Sequence, residues 1–428
     1  MLIAFHLGRV FTLSLAELLA VFEQKGVAYQ IKQFYTEVVI IETHQHLDAE
    51  SLQKRLGGVV KIMEIVDVLP RRRATDFLSF TVKDYFHPNI LKSHFLKQTH
   101  GKVQFGISVY SLSDKLRLFG QNKRIGMEIK QTLQSYGISC RVVIPEGAAL
   151  ALPSVAVTNN QLLQKGAEID LIVSEKEVYI GKTLMVQDFA DYGRRDYQRP
   201  VRDLKAGMLP PKVAQMMINM ARVPDAAKTD GSFVLDPFTG SGTIIQEAML
   251  MGYRVFGTDI SQKAMDDAEK NLQWFRTRYK LPPNHFELAV CDVKDLAKTV
   301  ESRKICAVVS EGTLGPAYGK IPNQKEIEKN FAGLSRTYVN AFKQIKTVLN
   351  SGGLAVFALP AYKIGGSYAF FPIIDKIRDL GYDIVSPLNK ELLEKSPFLK
   401  VTQRGSIIYD RKDQVVVREI VIFKTIDS

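Results

Sequence analysis

A short glycine-rich stretch contains the residues whose types and spacing are best suited to chemistry. It runs Val234-Leu235-Asp236-Pro237-Phe238-Thr239-Gly240-Ser241-Gly242-Thr243, from an apolar strand into a tight turn and a predicted helix, Ile244 to Met251. Because Gly240 and Gly242 have no Cβ, the backbone can bend sharply there and let a ligand come close. The first N–H groups of the helix would point at that ligand. The stretch therefore predicts a binding turn at the end of a strand.

An acidic residue follows this turn at the spacing of a nucleoside site. The next apolar strand ends at Asp259, 23 positions after Asp236. A carboxylate about 20 residues past a glycine turn is where nucleotide-binding sheets hold a ribose diol. The turn lacks the three spaced glycines of a dinucleotide site and the Gly-Lys-Ser/Thr of a phosphate-binding loop. Glycine turns also occur in α/β proteins that bind no cofactor, so spacing alone leaves both interpretations open.

The residues 236–243, Asp-Pro-Phe-Thr-Gly-Ser-Gly-Thr, are more specific. They resemble the first motif of S-adenosylmethionine-dependent methyltransferases that act on exocyclic amino groups of nucleic-acid bases. The resemblance implies that Asp236 and the turn hold the methionine part of the cofactor, Asp259 its ribose and Asp292 its adenine. Each aspartate has an alternative role as a helix N-cap. The residues assigned to S-adenosyl-L-methionine in this way are Met208, Pro210, Asp236, Phe238, Gly240, Gly242, Thr243, Asp259, Ile260, Asp292 and Val293.

In this family the fourth strand ends at the site for the base that accepts the methyl group. The sequence motif of that site is Asp or Asn, followed by Pro, Pro, and Tyr or Phe. Here Glu311, Gly312, Thr313 and Leu314 occupy these positions, and Tyr318 lies four residues on as a candidate stacking aromatic. An acid side chain and a backbone carbonyl would accept both amino protons and direct the nitrogen lone pair at the methyl group. Three outcomes stay open: an active enzyme with an altered loop, one with a shifted base preference, and a cofactor-binding RNA-binding protein with little activity.

The chain has 428 residues and a formal net charge of +12, and the charge is unevenly distributed. Residues 51–150 contain 16 Lys or Arg against 7 Asp or Glu. A concentrated basic region suits a polyanionic partner such as RNA, DNA or a membrane surface. It is equally typical of a solvated basic face.

Residues 75–185, which overlap this region, resemble the THUMP module, an RNA-binding domain found with tRNA-modifying enzymes. The resemblance lies in Phe105-Gly106-Ile107-Ser108-Val109, Ile129-Lys130 and Val178-Tyr179-Ile180-Gly181-Lys182-Thr183. It implies that tRNA is the partner and is held through backbone charge and shape rather than base identity. The candidate RNA contacts are Lys102, Lys115, Arg117, Lys123, Arg124, Lys130 and Arg141.

Alternating apolar strands and amphipathic helices predict an α/β chain whose last part is a mostly parallel sheet. The resemblance implies a Rossmann-like class I methyltransferase sheet with a terminal β-hairpin, preceded by α+β N-terminal and THUMP-like domains. The expected domains are an N-terminal ferredoxin-like α/β domain at 1–70, a THUMP-like domain at 71–190, a linker at 191–212 and a methyltransferase domain at 213–428. Ser14 is predicted to cap the first helix, and Tyr368 to Leu380 to form a late one.

The three cysteines, Cys140, Cys291 and Cys306, lack CxxC spacing, which predicts no disulfide framework and no zinc site. The apolar start lacks the features of a signal peptide, and no apolar run reaches the roughly 18 residues of a membrane span. We therefore expect a cytoplasmic protein without a membrane anchor or a metal.

Taken together, these features resemble the archaeal and eukaryotic THUMP-domain tRNA guanine-N2 methyltransferases of the guanosine-10 type. The resemblance implies methyl transfer to the exocyclic N2 of a tRNA guanosine, with position 10 as the expected site. Two alternatives are kept: a DNA adenine or cytosine amino-methyltransferase, and a non-catalytic S-adenosylmethionine-binding RNA-binding protein. The sequence leaves the number of methyl groups and the oligomeric state open.

Overall fold

The computed structural model of the protein describes residues 1–71, 78–82, 84–96, 102–202, 208–316, 318–411 and 414–426. The chain divides into two compact units. The first comprises Met1–Phe11, Gly26–Arg55 and Val59–Phe189, and the second comprises Thr12–Lys25, Leu56–Gly58 and Ala190–Ser428. No helix among the described residues is long and apolar enough to span a bilayer.

The strands of the front part of the chain form one eight-stranded sheet of order β2-β3-β1-β4-β8-β7-β5-β6. These strands are β1 (Leu2–Leu7), β2 (Tyr29–Tyr35), β3 (Val38–Thr43), β4 (Val59–Pro70), β5 (Val103–Ser111), β6 (Cys140–Val143), β7 (Gly166–Val173) and β8 (Glu177–Val186). The helices are α1 (Phe11–Gln24), α2 (Ala49–Arg55), α3 (Leu78–Val82), α4 (Pro88–Ile90), α5 (Gln121–Ser135), α6 (Ser154–Asn159) and α7 (Leu162–Lys165), with a π-helical turn at Leu91–Phe95.

Strands β1 to β4 are antiparallel neighbours in the order of a ferredoxin-like sheet, β2-β3-β1-β4. Strand β5 is parallel to β6 and β7, and β7 and β8 form an antiparallel pair. Because β4 pairs with β8, the boundary expected at residue 70 falls inside one continuous sheet. The domain boundaries drawn from the sequence stay a prediction.

The capping-box spacing of Ser14 and Glu17 does not mark the start of the first helix. Helix α1 begins at Phe11, so the prediction of Ser14 as its N-cap is wrong. Glu17, the other half of the expected capping box, is fully buried and accepts hydrogen bonds from the backbone N–H groups of Gly57 and Gly58 at 2.8 and 2.7 Å. The carboxylate thus satisfies backbone donors of a turn 40 positions further along the chain.

The second sheet consists of β9 (Phe233–Asp236), β10 (Arg254–Asp259), β11 (Phe286–Val290), β12 (Ile305–Glu311), β13 (Leu354–Ile364), β14 (Ser367–Phe370), β15 (Tyr382–Ile384), β16 (Ile407–Tyr409) and β17 (Val416–Thr425). The helices are α8 (Phe189–Tyr197), α9 (Pro211–Met220), α10 (Thr243–Leu250), α11 (Gln262–Tyr279), α12 (Leu296–Val300), α13 (Gln324–Val348), α14 (Ile374–Arg378) and α15 (Lys390–Lys395), with 3-10 turns at Asp225–Lys228 and Val293–Asp295.

The main path of this sheet has the order β11-β10-β9-β12-β13-β17-β15. Strands β9 to β13 are parallel, whereas β17 is antiparallel to both β13 and β15. The chain winds outward from β9 in one direction and then returns to β12 on its other side. The carboxyl ends of β9 and β12 therefore flank a topological switch point, where such sheets bind ligands.

The end of the chain agrees with the predicted β-hairpin, because β16 pairs antiparallel with β17. The late helix is placed wrongly by the sequence. Residues Ser367–Phe370 form strand β14 against β13, and helix α14 begins only at Ile374. These residues form a strand rather than the predicted helix because Ala369 and Phe370 pair with β13 next to the apolar core.

Helix α13 packs on one face of the second sheet. The loop that follows β12 leads into this helix. Asn323 and Glu326 form a reciprocal capping box at its start, which fixes where the helix begins. Its apolar face buries Phe331, Tyr338 and Phe342 in an apolar core of this unit.

The predicted linker at 191–212 contains regular structure at its beginning. Helix α8 covers residues up to Tyr197, and Arg195 is buried in an ion pair with Glu247 of α10. Residues 203–207 of the predicted linker lie outside the described residues.

Candidate active site

The glycine turn after β9 adopts a backbone that only glycine forms without strain. The φ angles of Gly240 and Gly242 are 51° and 85°, in the left-handed region. The N–H of Thr239 donates to the carbonyl of Thr258 at 2.9 Å, so the turn is attached to β10. A Cβ at Gly257 would lie 2.6 Å from the Thr239 hydroxyl oxygen, which makes glycine necessary there too. The turn is therefore preformed by neighbouring strands.

Asp259 connects the turn to the end of β10. One carboxylate oxygen accepts from Gly240 N and the other from Ser261 N, both at 3.0 Å. The N-cap of α11 is Ser261, whose hydroxyl accepts from Ala264 N, so Asp259 does not have the alternative capping role. Each carboxylate oxygen has a second lone pair, which leaves Asp259 able to accept from a ligand hydroxyl.

Asp292 does have the alternative role. It caps the short 3-10 turn after β11, accepts from Lys294 N at 3.1 Å and forms an ion pair with the Lys294 ammonium at 2.9 Å. The Lys294 contacts lower the pKa of Asp292. Asp292 is thus a fixed carboxylate at the edge of the cleft.

Asp236 is almost fully buried at the end of β9. Its Oδ1 accepts from the Ser310 hydroxyl at 2.6 Å and from Phe238 N at 3.3 Å. Burial raises the pKa of Asp236 to about 7, and the nearby negative charges of Asp259 and Glu311 act in the same direction. The carboxyl therefore titrates near neutral pH.

These strand ends surround a cleft of about 810 Å³, a volume typical of pockets for nucleoside-sized ligands. Of the residues predicted to bind the cofactor, Pro210 and Gly242 do not line it, and Ile260 does so with 69% of its surface exposed. The predicted residues that do line the cleft are Met208, Asp236, Phe238, Gly240, Thr243, Asp259, Ile260, Asp292, Val293, Glu311, Gly312, Thr313 and Leu314.

Glu311 stands at the end of β12 and is held by an arginine that the sequence analysis missed. Arg418 on β17 donates from Nε to Glu311 Oε1 and from Nη1 to Gln414 Oε1 at 2.8 Å. Burial raises the pKa of Glu311, and the positive charge of Arg418 opposes that shift.

The unusual loop after Glu311 is fitted to helix α13. A Cβ at Gly312 would lie 2.2 Å from the Tyr338 hydroxyl oxygen, so no side chain fits there. The Tyr338 hydroxyl donates to the carbonyl of Thr313 at 3.0 Å, and Asn330 donates to the carbonyl of Leu314 at 3.3 Å. The Tyr338 hydroxyl thus explains why position 312 is a glycine.

An aromatic ring does lie at the cleft, but it is not Tyr318. Tyr318 packs edge-on against Tyr362, with ring centroids 5.9 Å apart, and does not line the cleft. Phe238 lines the cleft and stacks on Tyr338, with centroids 6.0 Å apart and planes 29° apart.

Sequence reasoning missed the residues that support the site from other elements. Ser310 and Arg418 are polar residues inside strands that are otherwise largely apolar, and this is the signal that could have identified them. Arg336, Thr337 and Asn340 line the cleft from α13 with no motif to mark them.

The candidate RNA contacts all lie in the first unit. Lys102, Lys115, Arg117, Lys123, Arg124 and Arg141 are exposed, and Lys130 is half-buried. Two of them have acidic neighbours, since Lys115 pairs with Glu175 at 3.6 Å and Arg124 with Glu128 at 3.2 Å. The structure leaves their role in RNA binding a prediction.

Comparison with a solved structure decides the fold. The chain matches TrmN from Thermus thermophilus with a TM-score of 0.55 over 100% of both chains, at 13% identity. The chain has a class I methyltransferase fold. The fold class predicted from the sequence is thereby confirmed.

Sequence comparisons point to the same kind of protein. A family model described as DNA methylase matches residues 174–270. The tRNA (guanine(10)-N2)-dimethyltransferase of Methanocaldococcus jannaschii is 26% identical over 226 residues, 52% of this chain and 57% of that protein. The enzyme of the same name from Methanothermobacter thermautotrophicus is 31% identical over 168 residues, 39% of this chain and 43% of that protein. The chain thus spans about half the length of the curated relatives it matches.

Proposed function

We propose that the protein is an S-adenosylmethionine-dependent methyltransferase that modifies the exocyclic N2 of a tRNA guanosine, with position 10 as the expected site. The observation that carries the proposal is one cleft lined by the Gly240 turn, by Asp259 and by Glu311. The names of the sequence relatives support the choice of tRNA guanine over other acceptors.

The cleft residues fit the cofactor. A Cβ at Gly240 would meet no atom within 4 Å, so the turn leaves open space where a ligand can approach the backbone. Asp259 would accept from the ribose hydroxyls and Asp292 from the adenine amino group. When bound, S-adenosylmethionine supplies an electrophilic methyl carbon whose bond to sulfur breaks as the acceptor nitrogen attacks it.

Glu311 and the loop after it would act on the acceptor base. The Glu311 carboxylate and the Gly312 carbonyl would accept hydrogen bonds from the two amino protons. These acceptors localise the nitrogen lone pair and increase its reactivity, because they are held in place before the base arrives. After transfer the nitrogen is positively charged and strongly acidic, so the Glu311 carboxylate or water takes up one proton.

The first unit would deliver the tRNA. Its exposed lysines and arginines suit contacts to phosphates, and the THUMP-like assignment of this region would explain why they lie on a separate unit. A tRNA substrate also implies a cytoplasmic location.

The proposal is tested by incubating the full chain with methyl-labelled S-adenosylmethionine and unmodified tRNA transcripts, then analysing the nucleosides. We expect label in N2-methylguanosine, and lack of transfer to any transcript would remove the enzymatic claim. Calorimetry with the cofactor separates binding from transfer, because the Glu311→Gln variant should bind S-adenosylmethionine with unchanged affinity.

The DNA methylase description of the family model favours one second candidate, amino-methylation of adenine or cytosine in DNA. Duplex DNA added in excess to the same assay tests it. Label in N6-methyladenine or N4-methylcytosine would support the DNA enzyme, whereas an unchanged rate of tRNA methylation excludes competition at the site.

A further inference from the structure

We propose that Arg418 is a positioning residue for methyl transfer: it keeps Glu311 ionised and occupies one carboxylate oxygen, leaving the other for the acceptor amino group. The inference rests on the proposed function. It concerns a residue on the antiparallel strand β17, outside the motifs that predicted the site.

In the ion pair of Arg418 and Glu311, the arginine side chain is buried and the glutamate side chain borders the cleft. The order β12-β13-β17 places Arg418 two strands away from Glu311, and its side chain reaches past β13 to make the contact. The Arg418 side chain is 1% exposed, whereas that of Glu311 is 18% exposed and lines the cleft. Gln414 accepts a second hydrogen bond from the guanidinium and so fixes its orientation.

The charges around Glu311 make Arg418 decisive for its protonation state. Among the described residues, Arg418 from β17, Asp236 from β9 and Tyr338 from α13 interact electrostatically with the carboxyl. Burial holds the pKa of Tyr338 well above its usual range, so the phenol is neutral, and Asp236 contributes either no charge or a negative one. Of the three, only Arg418 favours the ionised form of Glu311.

Ionisation and orientation both matter for this acceptor. A protonated carboxyl would offer a donor hydrogen to an amino group that itself needs acceptors. Glutamate has one more methylene than the aspartate expected at this position, hence one more rotatable bond to fix. A hydrogen bond from Arg418 to one oxygen restricts that freedom and leaves the second oxygen available to the cleft.

The test is the pH dependence of single-turnover methyl transfer in Arg418→Gln, Arg418→Lys and a matched control, Arg404→Gln. Arg404 also pairs with a buried glutamate, Glu419, at 3.5 Å. Because Glu419 follows Arg418 along β17, its side chain lies on the opposite face of the sheet. We expect the acid limb of the profile to move up by about 1 to 3 pH units in Arg418→Gln. It should stay near the wild-type position in Arg418→Lys and be unchanged in Arg404→Gln.

Two further variants assign the limb to Glu311. It should vanish in Glu311→Gln, with transfer slower by roughly 10²-fold or more. It should persist in Asp236→Asn, which removes the other carboxyl that titrates near neutral pH. An acid limb that stays in place in Arg418→Gln would overturn the inference.

A readout without catalysis keeps the two proposals distinguishable. The Glu311 carboxyl is titrated by NMR in protein carrying ¹³C-labelled glutamate, and its signal is the one missing from Glu311→Gln. Wild-type protein that transfers no methyl group contradicts the proposed function, but the titration still decides whether Arg418 controls Glu311. Equal midpoints in wild type and Arg418→Gln would refute that control.

Discussion

Three of the carboxyl groups that line the cleft, those of Glu311, Asp259 and Asp236, have different kinds of partner. Glu311 is held by the guanidinium of Arg418, Asp259 by two backbone N–H groups and Asp236 by the Ser310 hydroxyl. A neutral hydroxyl compensates burial less than a charge does, so Asp236 is the group whose pKa rises to about 7. Asp236 is therefore a carboxyl of the cleft that titrates near neutral pH.

The first prediction concerns stability. The folded-state pKa of Asp236 is raised, so its contribution to stability is full below its unfolded pKa of about 4 and is lost as pH rises through about 7. Asp236→Asn keeps an acceptor for Ser310 and removes the titration. In urea unfolding at pH 5 to 8, the free energy of unfolding of Asp236→Asn should therefore increase relative to that of wild type by up to a few kcal/mol as pH rises. Asp383→Asn, an exposed aspartate of the same unit, should show no such gain. Parallel pH curves for wild type and Asp236→Asn would contradict the assignment.

The second prediction concerns the cofactor. Asp259→Ala removes both the proposed ribose acceptor and the hydrogen bond that holds Gly240, so calorimetry should show S-adenosylmethionine binding weaker by on the order of 10²-fold. Asp266→Ala changes an exposed carboxylate on the neighbouring helix α11 and should leave the affinity unchanged. Equal affinities for the two variants would place the cofactor elsewhere.

At the scale of elements, the acceptor loop and helix α13 form one fitted pair. Tyr338 takes the space that a side chain at position 312 would need and holds the carbonyl of Thr313, while Asn330 holds that of Leu314. Contacts to helix α13 therefore stiffen a loop that has no proline at positions 312 and 313.

The third prediction follows from this fit. Gly312→Ala would force Tyr338 or the loop to move, at a cost of about 1 to 3 kcal/mol, and should slow methyl transfer by roughly 10-fold or more with unchanged cofactor affinity. Gly319→Ala is the matched control, because a Cβ at Gly319 would meet no atom within 4 Å. Equal rates for the two alanine variants would show that the fit does not matter.

The sequence predicts some elements better than others for physical reasons. Strand β10 ends at Asp259 as predicted, and helix α10 begins within one residue of the predicted Ile244, because an apolar run and a glycine turn are local signals. The strand at Ser367–Phe370 was missed because its stability comes from pairing with β13. Arg418 was missed as a partner of Glu311 because 107 positions separate the two residues.

At the scale of the whole molecule, the basic charge of the first unit is the feature that the catalytic cleft does not explain. Lys102, Lys123 and Arg141 are exposed there, one before β5, one on α5 and one on β6. If these side chains contact phosphates, they contribute mainly electrostatic affinity, which salt weakens.

The fourth prediction uses that salt dependence. Replacing Lys102, Lys123 and Arg141 together by glutamine should weaken tRNA binding and reduce the slope of log affinity against log salt by up to about 3. The control replaces Lys270, Lys343 and Lys400, which are exposed in the second unit and carry the same total charge. Filter binding between 50 and 200 mM salt, roughly the range in which such slopes are resolved, makes the measurement. An identical slope for both triple variants would contradict the assignment of the first unit to RNA binding.

Methylation of tRNA by this protein is tested in cells by nucleoside mass spectrometry of tRNA from cells with the gene and from cells in which it is deleted. We predict that deletion removes N2-methylguanosine, or its dimethylated form, from at least one tRNA position and that wild-type protein restores it while Glu311→Gln does not. Unchanged N2-methylated guanosine after deletion, or loss of a different modification, would contradict the account.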